Sequence, residues 1–149
     1  MVNFVVLSMV FFNVIVGIVT FISFYLTLQN RANISEIKKR SITANTSTAA
    51  EKIERIKTLI QYQEYKIVYI LLESLKGLLI DVKANIKRKK DMETMTYAIN
   101  QVNEMDKDFR KLNKDNRKLK EGMEEGYIDA LNNLKEELLS LNHKNKISS

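Results

Sequence analysis

MVNFVVLSMVFFNVIVGIVTFISFYLTLQN, residues 1–30, contains no Asp, Glu, Lys or Arg, and the first charged side chain of the chain is Arg31. Everything beyond it is rich in Lys, Glu and Asn. A helix rises ~1.5 Å per residue and the hydrocarbon core of a bilayer is ~30 Å thick, so about 20 apolar residues suffice to cross it. Residues 4–28 are long enough to do so with some tilt. A cleaved signal peptide fits less well. It requires a basic n-region, a shorter apolar core and small residues before the cleavage point. Here no Lys or Arg precedes the run, and Leu26-Thr27-Leu28-Gln29-Asn30 is a poor cleavage sequence.

The flanks give a direction. Arg31, Lys38, Lys39 and Arg40 follow the apolar run, whereas no basic side chain comes before it. The positive-inside rule then places the N-terminus outside and the C-terminal helices in the cytoplasm or a matrix-like compartment. The reading is an integral membrane protein with a single span. Within the span, Asn13, Gly17, Thr20 and Thr27 fall near one helical face. Small and polar residues on one stripe allow a second membrane helix to approach and hydrogen-bond, and the amide of Asn13 is costly in hydrocarbon without a partner.

The remainder is expected to be all-α, with long helices of coiled-coil or helical-hairpin character. The chain has no Pro, no Cys and only four Gly, and Pro is the residue that normally punctuates helices. Residues 31–48 read as a basic juxtamembrane segment ending in a polar break at 41–48. Thr48 and Glu51 have the spacing of a capping box that starts a helix over 49–90. Its apolar middle includes Tyr62, Tyr65, Val68, Tyr69, Leu72, Leu75 and Leu79. Lys66, Glu73, Lys76 and Asp81 interrupt that run, so an amphipathic helix is favoured over a second span.

A third helix is expected over 91–123. Met95, Ala98, Val102, Met105, Phe109, Leu112, Asn116, Leu119 and Met123 recur by three and four, the seam of a coiled coil. An Asn at position a, as Asn116 would be, fixes register and oligomer state. Gly122 and Gly126 suggest a hinge, followed by a short helix over 127–142 and a tail over 143–149.

The net charge of +6 lies wholly after residue 30. Lys83, Lys87, Arg88, Lys89 and Lys90 form its densest cluster. Cations suit a helix C-terminus, and they also suit anionic lipid. Aromatic interleaving for nucleic-acid stacking is absent, so nucleic acid is not the expected partner. No catalytic, cofactor-binding or metal site is expected. His143 is the only His, there is no thiol, and no Gly-rich loop is present to cradle phosphate.

The layout of one span followed by long charged helices resembles the b-type peripheral stalk subunits of rotary ATP synthases. Asn30-Arg31-Ala32-Asn33-Ile34 is similar to their post-membrane segment, although the Ala-rich coiled-coil pattern of that family is absent. The resemblance implies a non-enzymatic stalk or scaffold subunit of a larger membrane complex, binding other subunits or itself through the coiled coil. The alternatives are a spanin-like or pore-type lysis protein, and an adaptor on anionic lipid or nucleic acid.

Overall fold

The computed structural model describes residues 2–115, 117–119 and 122–147, with side chains from Phe12 to Asn145 within those bounds. They form four helices: α1 (Val2–Gln61), α2 (Tyr65–Asn85), α3 (Lys89–Lys114) and α4 (Met123–Ile147). There is no strand among the described residues. The chain divides into two units, Met1–Ile37 and Lys38–Ser149.

The first unit is the N-terminal part of α1, and the rest of that helix, from Lys38, belongs to the second unit. α1 is the one helix among the described residues that is long and apolar enough to cross a membrane. Phe12, Val16, Phe21 and Phe24 are all exposed.

The second unit is an up-down-up-down four-helix bundle. α2 and α3 pair most extensively, as antiparallel neighbours tied by Lys76 to Asn103 and by Arg110 to Glu73. α4 runs antiparallel to α1: Lys135 meets Glu54, and Asn145 Nδ2 donates to the Lys39 carbonyl. α4 is also antiparallel to α3, through Lys144–Asp91 and Tyr127–Asp108. Each helix supplies an apolar stripe at helical spacing to one core. The stripes are Ile53, Ile56 and Ile60 from α1; Val68, Leu72, Leu75 and Leu79 from α2; Met95, Ala98, Val102 and Phe109 from α3; and Leu131, Leu134 and Leu138 from α4. This is the usual way for helices joined by short loops to cover their apolar faces.

Several expected boundaries are corrected. No break occurs at 41–48, because α1 runs through it. Thr48 does not cap a helix. Its hydroxyl donates to the Ala44 carbonyl, and Thr46 does the same to Ile42 at 2.8 Å. Back-bonding to the carbonyl four residues earlier satisfies these hydroxyls inside a helix. Ile42, Thr46, Ala49 and Ala50 are buried, so this stretch belongs to the bundle core.

The helix expected over 49–90 is instead divided twice. Gln63 adopts φ 58°. The Glu64 amide donates to the Leu59 carbonyl and the Gln63 amide to that of Ile60, each at 3.0 Å. That pair of bonds is a Schellman motif, which ends a helix with one left-handed residue. Glycine is the usual occupant, so a Gln there leaves no composition signal. The second interruption is the extended connection 86–88, where Ile86 and Arg88 have ψ 137° and 126°.

The heptad helix over 91–123 stops at Lys114. The chain then crosses to Gly122, whose φ of +83° places it in the left-handed region before α4 begins at Met123. Of the two glycines, Gly122 lies in the turn and Gly126 lies inside α4. The expected tail is helical as far as Ile147.

Candidate interaction surfaces

Val102, Met105 and Phe109 of the heptad seam are buried, and Leu112 and Leu119 pack partly buried against the same core. Asn116 lies outside the described residues. The seam faces helices of its own chain, and coiled-coil character is not what the structure shows. Phe109 is its anchor. Its ring is tilted against Tyr65 of α2 at 5.6 Å and against Tyr127 of α4 at 5.1 Å. Tilted rings at these separations contribute beyond their buried area. Tyr65 also accepts a hydrogen bond from the Leu119 amide, which fastens the α3–α4 connection to the start of α2. Tyr62, by contrast, is 75% exposed.

A polar clamp that sequence reading missed joins α2 to α3. Arg110 Nε donates to both oxygens of Asp106, and its Nη2 donates to Glu73 Oε2 at 2.8 Å. The guanidinium also lies 4.7 Å from the centre of the Tyr69 ring. Hydrogen bonds to Asp106 and then Glu73 hold the Arg110 pKa above its ordinary value. Asp106 is only 7% exposed, so the clamp gives a buried carboxylate its counter-ion. The spacing of four between Asp106 and Arg110 was a legible signal; the arrival of Glu73 from another helix was not.

On the other side of α3, Tyr127 donates to Asp108 Oδ2 at 2.7 Å. Burial first, then this bond to a carboxylate, pushes the Tyr127 phenol well above the ordinary tyrosine range. Beside it an open groove of about 560 Å³ runs between α3 and α4, with Tyr97, Met105, Met123 and Ala130 in its lining. Among the described residues, no group of three or more His, Cys, Asp or Glu side chains is placed to hold a metal ion.

In the first unit, the Thr20 hydroxyl donates to the Val16 carbonyl at 2.8 Å and that of Thr27 to Ser23 at 2.7 Å. Both threonines are therefore satisfied by their own helix, and nothing lies within 4 Å of where a Gly17 Cβ would stand. Asn13 is exposed.

The basic cluster sits on and around the α2–α3 connection. Lys87, Arg88, Lys89 and Lys90 are exposed, and Lys83 is half-buried in the last turn of α2. Lys89 reaches Glu93 at 3.9 Å.

Comparison with protein families, curated proteins and solved structures finds no match to this chain.

Proposed function

We propose that this protein is a non-enzymatic, membrane-anchored helical bundle that serves as a scaffold subunit of a larger membrane complex. The apolar N-terminal segment crosses the bilayer once, and the bundle stands on the cytoplasmic or matrix side. The observation that carries this reading is the outward-facing Val, Ile and Phe surface of α1 before residue 30. Water penalises such a surface at roughly 25 cal/mol per Å², whereas hydrocarbon accommodates it. The Asn13–Gly17 face is the part of the span assigned to a neighbouring helix. With Thr20 and Thr27 bonded to their own backbone, the Asn13 amide supplies the polar contact and Gly17 the close approach.

The test combines a topology reporter after Ser149 with cross-linking in native membranes. A cytoplasmic reporter and a cross-linked partner that is lost in Asn13→Leu are expected. An external reporter would overturn the orientation. Recovery of the monomer alone would overturn the role as a subunit.

A further inference from the structure

The topology brings together basic residues that are far apart in sequence. α1 comes into the bundle at Lys38, α2 ends and α3 begins across 86–88, and α4 finishes at Ile147. These four points share one end of the bundle, because Asn145 bonds the Lys39 carbonyl and Lys144 lies 3.7 Å from Asp91. Lys38 thereby joins Lys87, Arg88 and Lys90 on that end, and all four are exposed. The acidic groups near that end include Asp91, which faces Lys144, Glu93, which faces Lys89, and Glu36, one helical turn before Lys39 and Arg40 on α1. Asp81 stands further along α2. The opposite end mixes its charges, with Glu64, Asp115, Glu124 and Glu125 among Lys66, Lys111, Lys114 and Arg117.

We infer that the Lys38 end of the bundle is a binding surface for anionic phospholipid headgroups. The inference rests on the single-span reading above. Leu28, the last apolar residue of the span, is separated from Lys38 by a chain that reaches at most about 35 Å. The tether therefore holds this end within a short distance of the headgroups. Binding becomes an intramolecular step with a high effective concentration of lipid. A phosphodiester could also come from nucleic acid. The bilayer is favoured because the anchor delivers it to this end, and because no aromatic side chain stands among Lys87, Arg88, Lys89 and Lys90 to stack a base. A helix C-terminus alone would explain Lys83 in the last turn of α2. It does not explain Arg88 and Lys90, which lie before and within the first turn of α3, where cations are disfavoured.

The experiment uses the full chain, which has no Cys, so one fluorophore can be placed at will. Ala84→Cys reports the basic end and Tyr62→Cys the opposite end. Both are reconstituted into vesicles of phosphatidylcholine, with or without phosphatidylglycerol, carrying a headgroup nitroxide quencher. Quenching at Ala84→Cys is expected to rise with phosphatidylglycerol and fall with salt, while that at Tyr62→Cys stays constant. Each basic residue near an anionic surface contributes about fivefold. Adding Lys87→Gln, Arg88→Gln and Lys90→Gln together should then lower the docked-to-undocked ratio by about a hundredfold.

Quenching that ignores phosphatidylglycerol, or that survives the triple substitution, would overturn the headgroup contact alone. Failure of the chain to float with either vesicle would overturn both this contact and the span. A duplex oligonucleotide that displaces the lipid quenching would overturn the lipid assignment in favour of nucleic acid.

Discussion

Phe109→Ala tests whether the heptad face of α3 is closed by its own chain. The ring is fully buried and bridges Tyr65 and Tyr127, so it joins α2, α3 and α4 at one point. Removing about 150 Å² of buried ring surface at roughly 25 cal/mol per Å² loses about 4 kcal/mol. That agrees with the ~3–5 kcal/mol usual for burying an alanine where a phenylalanine stood. Loss of two tilted ring pairs moves the value toward the upper end. For a bundle of about 110 residues, an unfolding entropy of ~2.1 cal/mol/K per residue converts 4 kcal/mol into a midpoint about 17 °C lower. The assay is thermal unfolding of the full chain in nanodiscs, followed by near-ultraviolet tyrosine dichroism. Tyr65 and Tyr127 report the site itself. The midpoint of the parent chain should also be unchanged by tenfold dilution, because the core is intramolecular. A midpoint that falls on dilution, or a Phe109→Ala loss below about 1 kcal/mol, would refute the closed bundle and return the seam to an interchain coiled coil.

Further outcomes follow from the turns and polar contacts. Gly122→Ala should cost about 1–2 kcal/mol from backbone strain alone, since φ is +83° and no atom crowds the new Cβ, whereas Gln63→Gly should stabilise by up to about 1 kcal/mol; chemical denaturation measures both. Arg110→Met should lower the unfolding midpoint by leaving the buried Asp106 carboxylate without its partner, and the loss should shrink in an Asp106→Asn background. Tyr127 should ionise at a higher pH than a free tyrosine in an ultraviolet titration. Its folded pKa is raised above the unfolded value near 10, so its contribution is complete below that pH and lost as pH rises further. Tyr127→Phe should remove this alkaline component at a cost of about 1 kcal/mol at neutral pH, read from stability against pH.

The periodic stripes were legible and the punctuation was not. Val102, Met105 and Phe109 announce a buried helical face through their spacing, and the absence of Pro announces helix throughout. The same spacing serves a coiled coil and an intrachain bundle equally well, because both bury one side of a helix. Only the isoleucines of α1 and the leucines of α4, each unassigned to a partner in sequence, decide between them. The turn at 62–64 was hidden because Gln63 occupies a left-handed position that glycine would have advertised. The break read at 41–48 arose from the reverse error. Threonine hydroxyls suggest a loop until their back-bonds to Ile42 and Ala44 are seen. The Lys83–Lys90 cluster was plain in sequence, but its company with Lys38 depends on where α4 and α1 meet.

That meeting of α1 with α4 also sets an order of assembly. The α2–α3 hairpin is local and can close quickly, whereas Glu54 finds Lys135 and Lys39 finds Asn145 only across most of the bundle's sequence. During synthesis at ~5–20 residues per second, the isoleucine face of α1 is complete roughly 4–16 s before the last leucines of α4 leave the ribosome. Ile53, Ile56 and Ile60 therefore pass through a nascent state in which their final cover has not been translated. The isoleucine face that completes the bundle is also its period of greatest exposure to aggregation.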